Sequence, residues 1–131
     1  MSFALHPRLA ADTVFAADWP LCRVLLMNEA RYFWLVLVPR HEGLCEITDL
    51  SPADRAQLME EAALAGIIIK STGAAKLNIG ALGNIVPQLH LHVIGRSPGD
   101  PAWPGPVWGH SAPVPCGEAE REARIALVRS R

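Results

Sequence analysis

The sequence predicts one compact domain that mixes strands with helices. Three observations carry this: two neighbouring runs rich in Val, Leu and aromatic residues; a long segment, Pro52 to Lys70, with apolar residues at helical spacing; and a late strand, Leu89 to Arg96, with an alternating pattern. At 131 residues the chain has the usual size of a single folded unit. Residues 1–131 are therefore read as one domain, with the core in about residues 1–96 and a tail plus a final helix in about residues 97–131.

From the beginning, Leu9 to Ala17 reads as weakly helical, with Pro20 ending whatever forms there. Cys22 to Met27 and Tyr32 to Val38 give the clearest strand signal, joined by Asn28-Glu29-Ala30-Arg31, a polar link of hairpin length. Both runs are apolar at nearly every position, which predicts cover on both faces. Pro39 is expected to break the ladder. Leu44 to Leu50 reads as a short strand or turn. Ser51-Pro52-Ala53-Asp54 then opens a helix: Ser51 can accept from an orphan backbone amide, Pro52 suits the first helical position, and Asp54 places a carboxylate in the first turn. Leu58, Met59, Ala62, Ala65 and Ile69 recur at three- and four-residue spacings and are expected to pack as one core stripe, with Gly73 as the stop. Lys76 to Ile79 is a short strand, Gly80 to Asn84 a turn, and Leu89 to Arg96 a strand in which Leu89, Leu91 and Val93 alternate with His90 and His92. Ser97 to Gly117 holds six of the eleven prolines and two of the four tryptophans, which forbids regular structure yet supplies large anchors. An ordered, docked tail is expected, followed by an amphipathic helix from Glu118 to Arg129.

Composition excludes several classes. Half the residues are apolar, 19% are charged, and the mean hydropathy is +0.19, which rules out intrinsic disorder and leaves apolar surface for a partner. A net charge of -1 with no basic run argues against nucleic acid as a ligand. The longest uncharged apolar stretch, Ala62 to Ile69, is far short of the about 20 residues that span a bilayer. His6, Pro7 and Arg8 stand where a signal peptide would be apolar, so a cytoplasmic location is expected. Cys22, Cys45 and Cys116 form no C-x-x-C pair and are read as reduced, mostly buried thiols without chemistry.

The chemistry concentrates on one strand. His90 and His92 leave the same face, about 7 Å apart along an extended backbone, with Gln88 one step further along it. Buried without partners, such polar groups cost on the order of 1–3 kcal/mol each, so that face is paired, wet or a site. A lone histidine would read as a satisfied core residue; this cluster behind a Gly/Asn loop points to function. A neutral imidazole whose other ring nitrogen is tied to a carbonyl can attack phosphorus. The second imidazole, if protonated, can donate to a leaving oxygen or hold phosphate charge, and free amides in Gly80 to Asn84 can bind phosphate oxygens. Together these features read as phosphoryl or nucleotidyl transfer.

Gln88-Leu89-His90-Leu91-His92-Val93-Ile94 resembles the histidine triad (HIT) signature, three alternating histidines separated by apolar residues. Asn78-Ile79-Gly80 with Gly83-Asn84 resembles the segment before it, and Val36-Leu37-Val38-Pro39-Arg40-His41 is similar to the family's strand ending in Val-Pro near a fourth histidine. Asp49-Leu50-Ser51 before a helix also fits, and the resemblance covers roughly Cys22 to Arg96. It implies an α+β fold with a five-stranded antiparallel sheet, one long helix and a shorter one, and two sheets joined across a homodimer. It also implies a nucleotide hydrolase or nucleotidyl transferase that acts at the α-phosphate of a nucleoside phosphoramidate or dinucleoside polyphosphate through a nucleotidyl-histidine intermediate. No cofactor or obligatory metal is implied. Carried over, His90 is the nucleophile and His92 a phosphate or leaving-group contact. Asn78 lies near the phosphate, Gly83 offers it a backbone amide, Asn28 meets the ribose, and His41 has a place near the site.

Three departures stand out. Gln88 replaces the first histidine and cannot titrate. Asn84 stands for a Gln, and Ile85 for a Ser whose hydroxyl could meet phosphate. These keep open a second reading, a nucleotide-binding regulatory module with weak or no turnover. A third, a metal site on His41, His90 and His92, uses ligands that suit Zn²⁺. Among the remaining residues, His6 and His110 are expected to be structural or exposed; Arg96 reads as a solvated charge in preference to a phosphate contact, and Trp103 and Trp108 as packing residues in preference to a dimer seam or a base-pocket wall.

Overall fold

The computed structural model describes residues 3–130. Helix α1 (Pro7–Asp12) leads into strand β1 (Thr13–Asp18), followed by β2 (Cys22–Met27), β3 (Trp34–Pro39), one 3-10 turn (Ile47–Asp49), helix α2 (Pro52–Lys70), β4 (Lys76–Gly80), β5 (Leu91–Arg96) and helix α3 (Glu118–Arg129). The strands form one sheet in the order β1-β2-β3-β5-β4, and every neighbouring pair is antiparallel. The α+β fold with five antiparallel strands expected from the sequence is therefore present.

Several local signals act as expected. Ser51 caps α2 by accepting from the Asp54 N–H, with Pro52 at the first helical position. Glu61, buried on α2, accepts from the backbone N–H groups of Leu21 (2.8 Å) and Cys22 (2.9 Å), which fastens the helix to the head of β2. One sheet face carries the main core, where Val24, Leu26, Leu35, Leu37, Leu91 and Val93 meet Leu58, Ala62, Ala65 and Ile69 of α2 and Ile125 and Val128 of α3. The opposite face is covered by Leu9 and Val86 over Leu25, Val36 and Val38, and by Val107 of the tail beside Tyr32 and Ile94. Both faces of β2 and β3 are thus buried, as their continuous apolar runs require.

Other expectations fail for identifiable reasons. Leu9 to Ala17 is not one helix: it ends at Asp12, and Thr13-Val14-Phe15 continue as β1 because pairing with Met27, Leu26 and Leu25 satisfies their backbone. The third strand begins at Trp34 rather than Tyr32, and Pro39 does not break the ladder but closes it opposite Cys22. Of the two readings of Leu44 to Leu50 the turn holds: the segment contains the 3-10 turn, whose Asp49 carboxylate accepts from Cys45 and Glu46 N–H. Met59 is not core packing; it is 65% exposed, and the buried stripe runs through Leu58, Glu61, Ala62, Ala65, Ile68 and Ile69. Cys22 and Cys116 are buried, whereas Cys45 is exposed. Burial pushes the Cys22 thiol up, so it stays protonated and unreactive.

The tail is docked. Asn28 Oδ1 accepts from Cys116 N–H at 3.0 Å, and buried Glu29 accepts from Val114 N–H at 3.1 Å. Arg124 of α3 donates to the carbonyls of Glu29, Ala30 and Tyr32. The β2–β3 connection is therefore the post to which residues 112–124 are tied. Among the described residues, no helix is long and apolar enough to cross a membrane.

Candidate active site

Alternation on β5 sorts its side chains. Leu91 and Val93 face α2, so His92, Ile94 and Arg96 face the other way. His92 lies in register between Val36 of β3 and Gly80 of β4. The absence of a side chain at Gly80 matters here, since a Cβ would come within 3.3 Å of the Trp108 indole. That space lets Trp108 settle against His92 with ring centroids 5.5 Å apart, while Trp34 approaches from β3 at 5.6 Å. His90, just before the strand, stacks edge-on to His92 at 5.0 Å.

Hydrogen bonding assigns the protons. His90 Nδ1 lies 2.7 Å from the Gln88 carbonyl oxygen, and a carbonyl can only accept, so Nδ1 carries the proton and Nε2 keeps its lone pair. His92 Nδ1 lies 3.0 Å from Trp34 Nε1. An indole N–H can only donate, so here Nδ1 is the acceptor and the ring proton sits on Nε2. The two imidazoles present opposite characters at their outer nitrogens, one nucleophilic and one donating. Burial, reinforced by the facing charge of His90, lowers the His92 pKa to about 4. His92 is therefore not the protonated group that the sequence reading entertained; it is a neutral donor at physiological pH.

Linkage gives this a measurable consequence. Between the ordinary histidine value of about 6.5 and about 4, the unfolded chain binds a proton that folded His92 refuses, so stability falls as pH drops through that window. The contribution of His92 is about 3 kcal/mol, complete below pH about 4. Urea unfolding at pH 7 and pH 4 should show a smaller acid loss in His92→Asn, whose amide oxygen can still accept from Trp34. An equal loss in both proteins would show that His92 is not a source of acid sensitivity.

Gln88 enters through its backbone and, separately, through its side chain. Its backbone carbonyl holds His90, while its side chain leaves the pair: Oε1 accepts from His6 N–H at 2.8 Å and Nε2 donates to the Ala4 carbonyl at 2.9 Å. Asn78 Oδ1 accepts from Arg96 at 2.7 Å. Arg96 itself is not solvated. Its side chain is 1% exposed, paired with Asp100 at 2.8 Å, and packed over the rings of Tyr32 and Trp103. The guanidinium beside it holds the Asp100 carboxyl down to about 2. Gly83 adopts φ of +70° in the loop, and Asn84 and Ile85 are exposed. His41 stands apart from the pair, exposed and 3.2 Å from Asp54. Among the described residues no three His, Cys, Asp or Glu side chains converge, so the His41-His90-His92 metal grouping does not form. His6 caps α1 by accepting from Arg8 N–H, and His110 is exposed.

A cleft of about 410 Å³ opens beside the two indoles, lined by Trp34 and Trp108, by Arg8 and Asp12 of α1, by Met27 and Asn28, and by residues 107–115 of the tail. His90 and His92 do not line it themselves; they are 7% and 6% exposed and sit behind Trp34 and Trp108. Trp108 Nε1 is buried and finds no acceptor among the described residues. Trp34 was not identifiable as a site residue from sequence, because an aromatic in an apolar run reads as packing; for Trp108 the sequence leaves packing, a dimer seam and a base pocket open, and it lines the cleft.

A family model for the HIT domain matches residues 8–99. The chain belongs to the HIT domain family. Solved structures agree along the full length. A histidine triad protein from Bradyrhizobium japonicum is 44% identical, with TM-score 0.96 over 99% of this chain and 98% of that one. One from Sinorhizobium meliloti is 46% identical, with TM-score 0.94 over 98% and 96%. One from Marinobacter aquaeolei is 45% identical, with TM-score 0.95 over 99% and 96%. No curated protein matches. The HIT match ends at residue 99, so the tail wall of the cleft, residues 107–115, lies outside the segment that defines the family.

Proposed function

We propose that this HIT protein is a nucleotide hydrolase or nucleotidyl transferase that acts at the α-phosphate of a nucleoside phosphoramidate or dinucleoside polyphosphate, with His90 as the nucleophile. The bond from His90 Nδ1 to the Gln88 carbonyl carries this reading, because it leaves an unprotonated Nε2 on a side chain held by rigid backbone. The nucleoside part fits the aromatic cleft beside Trp34 and Trp108, where Asn28 stands at the rim for a ribose. The phosphates fit the amides of residues 80–84, with Gly83 and Asn84 nearest the turn and Asn78 alongside. Asn78 is held by Arg96, so its remaining role there is to shape the pocket.

We take the chain to be cytoplasmic and to form a homodimer, with no nucleic-acid or membrane partner. The open edge of β4 supports the dimer, flanked as it is by exposed Ile79, Leu82 and Ile85, the last 74% exposed. A nucleotide-binding module without turnover is the second reading, favoured by the withdrawal of the Gln88 side chain to residues 4–6.

Brief exposure to a dinucleoside polyphosphate, an alkaline denaturing quench that spares an acid-labile P–N bond, and mass spectrometry should find one nucleotidyl group on His90. Turnover with no such adduct, and none in a rapid-quench time course, would defeat the covalent route. AMP binding in a calorimeter without any product would establish the module instead.

A further inference from the structure

Trp34 Nε1 lies 3.0 Å from His92 Nδ1, and its hydrogen-bonding character is fixed: an indole N–H has no lone pair to offer. The ring of His92 is held in place by Trp34, His90 and Trp108, each packed edge-on against it. Protonating His92 would set a second N–H against the indole N–H, so the imidazolium is penalised by geometry as well as by burial. The ionisable group facing His92 that bears on its charge is His90 of the same strand segment, and it opposes a positive charge; the flanking groups from β3 and the tail are the neutral indoles. The ring therefore offers its partner a hydrogen bond from Nε2 and no transferable proton.

This decides which leaving groups can depart. Building on the catalytic role given to His90 above, we propose that Trp34 is a positioning residue that locks His92 as a neutral donor, and that this lock selects nucleotidyl anhydrides over nucleoside phosphoramidates. In the first step the His90 Nε2 lone pair forms a bond to the α-phosphorus while the bridging P–O bond breaks. The departing phosphate keeps the electron pair as a stable anion, and His92 Nε2–H steadies its oxygen by a hydrogen bond. In the second step water attacks the same phosphorus, the P–N bond breaks with its pair returning to His90, and the proton of water passes to solvent. A phosphoramidate nitrogen, by contrast, must be protonated before it can leave. A neutral imidazole N–H is far too weak an acid for that.

The test uses the full chain and the Trp34→Phe variant, which keeps an aromatic ring and loses the donor. Long-range ¹⁵N–¹H NMR of the free protein at neutral pH should show His92 in the Nε2–H tautomer. In Trp34→Phe the signal should move toward a tautomer mixture, with its titration shifted to higher pH. Diadenosine tetraphosphate should be preferred over adenosine phosphoramidate in kcat/KM by about a hundredfold, the scale of one general-acid contribution. The variant should narrow that ratio at least tenfold, through kcat rather than KM.

An Nδ1–H tautomer of His92 in the native protein overturns the lock, as does an unchanged tautomer in the variant. Equal rates on the two substrates overturn the selection. Absence of turnover on either, with the Nε2–H tautomer present, removes the catalytic reading and the selection with it, while leaving the lock in place. The tautomer and the substrate ratio are both read on the native chain, so a variant that fails to fold does not rescue the proposal.

Discussion

Replacing His90 by glycine is expected to cost at least about 10³-fold in kcat on any nucleotide substrate. The size follows from the proton assignments. No other side chain of the pair can take over, because His92 Nδ1 is occupied by the Trp34 indole and its Nε2 carries the proton. The nucleoside cleft does not include the His90 side chain among its walls, so adenosine affinity should change by less than about threefold. Steady-state kinetics and calorimetry on one preparation read both quantities. Turnover within tenfold of the native rate would take the nucleophile's role from His90.

The second large effect concerns the fold. Arg96→Met is expected to lose about 3–5 kcal/mol of stability, the usual cost of removing one member of a buried ion pair. Arg96 donates to both carboxylate oxygens of Asp100 at 2.8 and 2.9 Å and to Asn78 at 2.7 Å, so its loss leaves the Asp100 charge without its counter-ion and Asn78 Oδ1 without a donor. Asp100 also accepts from the N–H groups of Ser97 and Trp103, so the turn that starts the tail loosens with it. Adding Asp100→Leu should restore part of the loss, since no buried charge is then left unpaired. Urea unfolding of the single and double variants measures this. A single-variant loss under about 1 kcal/mol would mean that the tail is held by its apolar anchors alone.

Much of the fold was legible because its signals are local. The Ser51-Pro52-Asp54 start of α2, the apolar runs of β2 and β3, and the proline-rich docked tail each state their own structure within a few residues. The alternate histidines at the head of β5, His90 just before it and His92 within it, are equally self-contained, and the bond from His90 to a backbone carbonyl matches what nucleophilic chemistry demands.

The misses depend on partners far along the chain. Thr13 to Asp18 becomes a strand only because β2 lies beside it. Met59 falls outside the core because α2 is apolar around most of its circumference, with Met59 and Ile67 both exposed, and spacing alone does not choose the buried side. Arg96 reads as a surface charge until the tail returns Asp100 and Trp103 to it. The importance of Trp34 depends on a residue 58 positions away.

The two bonds of the Gln88 carboxamide give that residue an architectural meaning. Its oxygen and nitrogen sit side by side and grip the chain at Ala4 and His6 as a neighbouring strand would, while the carbonyl of the same residue steadies the reactive ring. An imidazole directs its two nitrogens away from each other and cannot make that grip. Placing histidine at position 88 would release the opening segment before it supplied any acid. In this chain, the residue that a signature match would mark as a lost catalytic group is a hinge pin joining the protein's first turn to its chemistry.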